Sequence, residues 1–396
     1  MYVYNEVRVF TGDDLLSPTT VTVADGLITA VGEPPPPGAD VVEGRGRTLL
    51  PGLIDAHAHV VDGDLEQAAA FGVTTVLDMM ADPVRIAAVR ETTTSPQVAD
   101  LRTAGTAATV PGGYGWYLVE MGLLPPFPLF SDPDTAGTFL DERLAEGSDY
   151  LKILLDDGST VGMPTRNMGD AQLHALVAAA RDRKVRTVAH ALTAATARQA
   201  AAAGVDVLGH LFVDEPDPEL PAELAARGIT VIPTLSVLGE LFGRRRAGAM
   251  AADPRVSPYL RERPRAMLTM DAVPLGEDAR HDVEVAWRTL GELRAAGVEI
   301  LAGSDAANPG TAHGVSLHVE LRQLVEAGLT PAEALTAATA APARRFGLTD
   351  RGRIAPGLRA DLLLVDGDPT ADIDHTLDIA GVWRGGRRVE RLPRTC

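Results

Sequence analysis

Short apolar runs rich in β-branched residues alternate with alanine-rich stretches through the middle of this chain. That alternation is the strongest constraint on its fold. The runs fall near residues 52–57, 73–78, 101–107, 149–155, 185–190, 205–210, 229–234 and 298–303. Helical stretches separate most of them, as in Asp170 to Arg181, Thr193 to Ala203 and Pro221 to Arg227. Successive strands joined by helical crossovers pair in parallel. Eight such units in about 300 residues predict an α/β fold of the (β/α)8, or TIM-barrel, type.

The two ends of the chain read differently. Tyr2-Val3-Tyr4 and Val7 to Phe10 are short strand candidates, and Asp25-Gly26 between Val21-Thr22-Val23 and Leu27 to Val31 is a hairpin signal. Near the other end, Leu362 to Val365 is an apolar strand, and Ile379 to Val389 contains a Gly385-Gly386 turn. Strands at both termini around a helical middle predict one small β-sandwich module from residues 1–48 and 352–396. The barrel would span 49–351.

Active sites of such barrels lie at the C-terminal ends of the strands. The first barrel run ends in His57-Ala58-His59, and residues i and i+2 of a strand share a face. Two imidazoles on one face can share a metal ion. The fourth run carries Lys152, the fifth ends in His190, the sixth in His210 and the eighth in Asp305. Four of the nine histidines therefore fall on predicted catalytic ends. Each has a plainer reading: an ion-paired lysine, polar strand termini, a helix N-cap at Asp305. Their joint placement points to a metal centre.

Composition narrows the function. A net charge of -18 argues against nucleic acid and anionic membranes as partners, because phosphates would be repelled. No run reaches the roughly 18 apolar residues of a membrane span. The N-terminal residues lack the pattern of a signal peptide. The single cysteine, Cys396, excludes an intramolecular disulfide and a multi-cysteine zinc site. A cytoplasmic enzyme acting on a small molecule is the expectation.

Several stretches carry a specific resemblance. They are Pro51 to His59, Gly147 to Ile153, Ala189-His190-Ala191, Ala203 to His210, Gly303 to Ala306, Leu329 to Thr339 and Gly352 to Leu362. On these the chain resembles the amidohydrolase superfamily, in the branch related to imidazolonepropionase, Xaa-Pro dipeptidases and arginine carboxypeptidases. The resemblance implies two divalent metal ions, most often zinc. His57, His59 and Asp305 would hold the first, and His190 and His210 the second. Lys152, converted to a carbamate by carbon dioxide, would bridge them. A hydroxide shared by the metals would attack the scissile carbonyl, with Asp305 moving its proton. Relatives often form symmetric assemblies, so a homo-oligomer is expected, although no segment identifies an interface.

Two departures from the branch pattern touch the pocket. Tyr114 stands in Gly112-Gly113-Tyr114-Gly115 where many relatives have histidine, and Gly209 precedes His210 where many have an acidic residue. Five of the 17 aromatic residues, Tyr114, Trp116, Tyr117, Phe127 and Phe130, cluster in this loop. They are candidates for an apolar wall or for a lid packed on itself. Arg166 and His313 are candidates to orient a carboxylate or carbonyl. Asp156 and Asp157 read as a solvated loop. The expected reaction is hydrolysis of an amide in a small, partly apolar substrate. Alternatives on the same site are hydrolysis of a lactone, carbamate or cyclic amide, and deamination. Lyase or isomerase chemistry and a metal-free scaffold are remoter ones.

Overall fold

A computed structural model describes residues 1–393. Cys396 lies outside them. Five strands lead the chain: β1 (Tyr2–Phe10), β2 (Leu15–Ala24), β3 (Leu27–Val31), β4 (Asp40–Glu43) and β5 (Arg47–Pro51). Val7 to Phe10 does not form a separate strand. It continues β1 past an irregularity after Tyr4, where Glu6 takes a positive φ of 52°. The hairpin at Asp25-Gly26 forms as its sequence dictates: both residues have positive φ, the requirement of a tight turn matched to strand twist.

Seven short strands follow, buried along their length except at Arg102: β6 (Leu53–Ala58), β7 (Val73–Asp78), β8 (Asp100–Thr103), β9 (Leu151–Leu154), β10 (Thr187–His190), β11 (Val207–Gly209) and β12 (Thr230–Ile232). They pair in parallel as β6-β7-β8 and as β9-β10-β11-β12. An isolated bridge between Ala108 and Ile153 links the two groups. Helices fill the crossovers. The helix Ala194–Ala203, for example, starts at Thr193, whose hydroxyl accepts from the Thr196 N–H, and stops at Gly204 in the left-handed region.

The run at 298–303, expected to be a strand, is not one. Ile300 bridges Val231 and Ala306 bridges Ala58, but no ladder forms between them. The Ser304 N–H goes to the Asp55 carboxylate instead of a strand carbonyl, at 2.9 Å, and Asp305 turns into the left-handed region. Residues 236–285 form a long connection between β12 and the next helix of the body, Val283–Ala295. They include the helices Ala247–Ala252 and Glu262–Thr269 and most of Leu235–Phe242.

The chain returns with β13 (Leu362–Asp366), β14 (Ile379–Arg384) and β15 (Arg387–Arg388). Both termini share one eight-stranded sheet, in the order β15-β14-β13-β5-β1-β2-β3, with β4 beside β1. Strand alternation lets β5 and β13 serve two cores. Leu49, Leu362 and Leu364 pack with Tyr4, Val9 and Trp383, whereas Leu50, Leu363 and Val365 join the apolar core around β6 to β12. No helix among the described residues is long and apolar enough to cross a membrane.

One buried histidine ties these layers. His318, on the helix Val315–Glu326, meets the Phe71 carbonyl at 2.8 Å and the Thr376 hydroxyl at 2.9 Å. Burial pushes its pKa from 6.5 down to about 4. In that interval the unfolded chain binds a proton that the folded chain refuses, so stability is lost as pH falls. Wild type is expected to lose about 3 kcal/mol more than H318Q between about pH 6.5 and 4. Urea unfolding of both proteins across this range measures it, and equal slopes would refute it.

Candidate metal centre

The six residues singled out on the strand runs meet in one cluster, buried except at His59, whose side chain is 37% exposed. His57 points from β6, and its Nε2 lies 3.3 Å from Lys152 Nζ of β9. Asp305 Oδ1 approaches His59 Nε2 at 3.1 Å and His57 Nε2 at 3.7 Å. Its Oδ2 is 3.9 Å from His210 Nδ1. The His210 ring is 4.6 Å, centre to centre, from both His57 and His190. His57, His59 and Asp305 offer ligand atoms that all lie within 4.8 Å of one another.

The glycines beside these groups have steric causes. A Cβ at Gly209 would stand 3.2 Å from both His57 Cε1 and Lys152 Nζ. One at Gly303 would stand 2.7 Å from the His57 Cβ. A side chain at Gly303 would force its neighbours to shift, and one at Gly209 would be a tight fit. Asp305 and Thr234 both hold φ at 52°, a costly conformation for residues with a Cβ, and both flank the cluster.

Electrostatics favour lone pairs here. Burial, with Lys152 and the neighbouring imidazoles, pushes the pKa of His57 well below its usual value. Burial, with His190 and Lys152, does the same to His210. Burial also brings Lys152 down to about 7, against the pull of Asp305 and Asp78. At His59 burial works in the same direction, but its hydrogen bond and charge contact with Asp305 outweigh it and raise the pKa. The site thus holds neutral imidazoles around one point that attracts positive charge. His57 Nδ1 is buried with no hydrogen-bond partner, and Asp305 Oδ1 has only its contact with His59. Buried polar atoms are rarely left so without a function or a bound ion. This donor set fits a divalent metal.

The substrate candidates divide. Tyr114 stacks on His190, with ring centres 4.5 Å apart and planes at 25°. Tyr117 packs edge-on against Tyr114 at 5.4 Å, and Trp116 packs against Phe127 at 5.5 Å. Arg166 is exposed on a loop whose backbone bonds Gly112. His313 is buried, with its Nε2 3.0 Å from Asp64 and 3.1 Å from the His59 carbonyl oxygen. That nitrogen is committed to the chain.

Asp156 is not a solvated loop residue. It is 1% exposed, and its Oδ2 lies 2.8 Å from His190 Nε2. Three other neighbours escaped the sequence reading. Thr234 Oγ1 lies 2.8 Å from His210 Nδ1. Asp55 accepts the His57 N–H and clasps Ser304. Asp78 accepts from Val60 and Thr103. The usable signal was position: Asp78 and Asp156 both stand at the ends of apolar strand runs, as the histidines do.

Parallel strands, converging imidazoles and a facing carboxylate define a class, mixed α/β proteins with a candidate metal centre at the strand ends. The model of the Amidohydrolase family matches residues 48–389, and the chain belongs to that family. An adenine deaminase from Moorella thermoacetica is 27% identical over 403 residues, covering 98% of this chain and 57% of its own length. The chain thus spans little more than half of that relative. An imidazolonepropionase from Salinispora arenicola is 25% identical over 377 residues, covering 87% of this chain and 85% of its own. A Xaa-Pro dipeptidase with methionine bound in its active site matches with a TM-score of 0.78 at 21% identity, over 98% of this chain and 99% of its own. That likeness in fold agrees with the TIM-barrel class.

Proposed function

We propose that this protein is a metal-dependent hydrolase of carbon–nitrogen bonds, acting on an amide or peptide-like bond of a small, partly apolar molecule. The observation that carries the reading is this donor set, with neutral imidazoles around the Asp305 carboxylate. His57, His59 and Asp305 would hold one ion, His190 and His210 a second, and Lys152 would join them as a carbamate. When bound, such ions acidify a water and polarise a carbonyl. The lowered pKa of Lys152 supports its part, since only an uncharged amine can capture carbon dioxide.

The remaining work belongs to the chain. Asp305 accepts the proton of the attacking water and returns it to the leaving nitrogen. Its strained backbone holds the carboxylate between His57, His59 and His210. Tyr114, with Tyr117 packed on its edge, covers His190 and adjoins an apolar patch of Met80, Leu118, Leu124 and Phe127, which suits an aliphatic or aromatic substituent. With the bridged segment at 298–303 as the eighth member, these parallel strands would close as a barrel over 49–351, with 1–48 and 352–396 as a β-sandwich module beside it.

Similarity to a deaminase and an imidazolonepropionase favours one second reading: water attack at a ring carbon, with either an exocyclic amine or a ring nitrogen as the leaving group. Elemental analysis of protein purified without chelator, with bicarbonate present, tests the centre. About two divalent ions per chain are expected. Hydrolysis of dipeptides and N-acyl amino acids with apolar side chains, against purines and cyclic amides, separates the two readings. Absence of metal and of any turnover on these panels would refute both.

A further inference from the structure

Three imidazoles of the cluster are each held by a group outside the six. His59 Nδ1 lies 3.3 Å from the Met80 carbonyl oxygen, which can only accept, so Nδ1 carries the proton. His210 Nδ1 lies 2.8 Å from the Thr234 hydroxyl, whose own proton goes to the Pro233 carbonyl at 2.8 Å. The hydroxyl oxygen is therefore the acceptor there too, and Nε2 keeps the lone pair.

His190 is reversed. Its Nε2 faces the buried Asp156 Oδ2 at 2.8 Å. The other carboxylate oxygen accepts the Gly158 N–H at 2.7 Å, which fixes the direction of the group. Tyr114 lies on the ring face. The imidazole is thus constrained at one edge and one face. A loop staple would account for the Gly158 bond alone. It would not account for the second oxygen on His190, nor for a carboxylate buried beside a candidate ligand.

We infer that Asp156 is a positioning residue that holds His190 with its proton on Nε2 and leaves Nδ1 as the nitrogen free to bind metal. A neutral imidazole has one N–H and one lone pair, so the partner of one nitrogen decides the role of the other. A carboxylate partner also makes the ring a stronger donor. This assignment rests on the metal-dependent reading above.

Competition of zinc-loaded protein with a chromophoric chelator tests it in wild type, D156A and D156N, with near-ultraviolet circular dichroism as the folding control. In D156A one of the zinc ions is expected to bind about 10- to 100-fold more weakly, with the other unchanged. D156N should recover part of the loss, because an amide oxygen still accepts from Nε2–H. It also carries the comparison if D156A fails to fold. Nitrogen-15 histidine spectra of metal-free wild type, with H190Q to assign the signal, should show His190 protonated at Nε2. Unchanged zinc affinities in both variants, or protonation at Nδ1, would overturn the assignment. A wild type that takes up no zinc would overturn the functional reading, and the histidine spectra would still decide the role of Asp156.

Discussion

Lys152→Ala is expected to drive turnover to the detection limit and to lower metal content from about two ions per chain toward one. The lysine is 2% exposed and touches His57 Nε2. Nothing in the apolar stretch of β9 can replace its nitrogen. Structure should be less affected than function, because removing a buried amine also removes its cost of desolvation. Short carboxylic acids, which can occupy the vacated space and supply two oxygens, should restore part of the rate. Elemental analysis beside a rate assay with and without added acetate or propionate reads both effects. Normal turnover in the variant would remove Lys152 from the centre. Loss of rate with full metal content would leave it a role other than bridging.

Asp305→Asn separates binding from chemistry. The amide keeps the shape of the carboxylate and one oxygen, but it cannot take up a proton. A loss of about 10²- to 10⁴-fold in kcat is expected for removal of a general base. Metal loss should be smaller, because His57 and His59 remain. The raised pKa of His59 depends on Asp305, so in metal-free protein it should fall in the variant. Parallel loss of metal and rate would instead mark Asp305 as chiefly structural.

How much of this could be read from the letters depended on the length scale of each signal. The strand ends could be read because a strand repeats every two residues: His57 and His59 had to share a face, and His190 and His210 each closed an apolar run. Asp305 could be read for the same reason, yet its segment is not a strand. The competing partner, the Asp55 carboxylate, lies 249 residues away and left no local mark. Asp156 misled because an acidic pair after a strand is usually hydrated, and its burial depends on where β10 places His190. Arg166 and His313 showed the converse. Their residue types suited a substrate, but one is exposed on a loop and the other is bonded to Asp64.

The sheet that joins the two ends has a consequence for biosynthesis. β5 runs through Pro51 and Gly52 straight into β6, and its opposite edge is held by β13, with Arg47 bonded to Asp366 across 319 residues. A nascent chain would expose the leucines of β5 until β13 emerges from the ribosome. Contacts of such long range close late and leave apolar edges open meanwhile. The leucines of β5, which leads into β6, are therefore covered only once β13 has been made. Folding yield in the cell should then depend on chaperone supply and on an intact C-terminal segment more than on the stability of the finished protein.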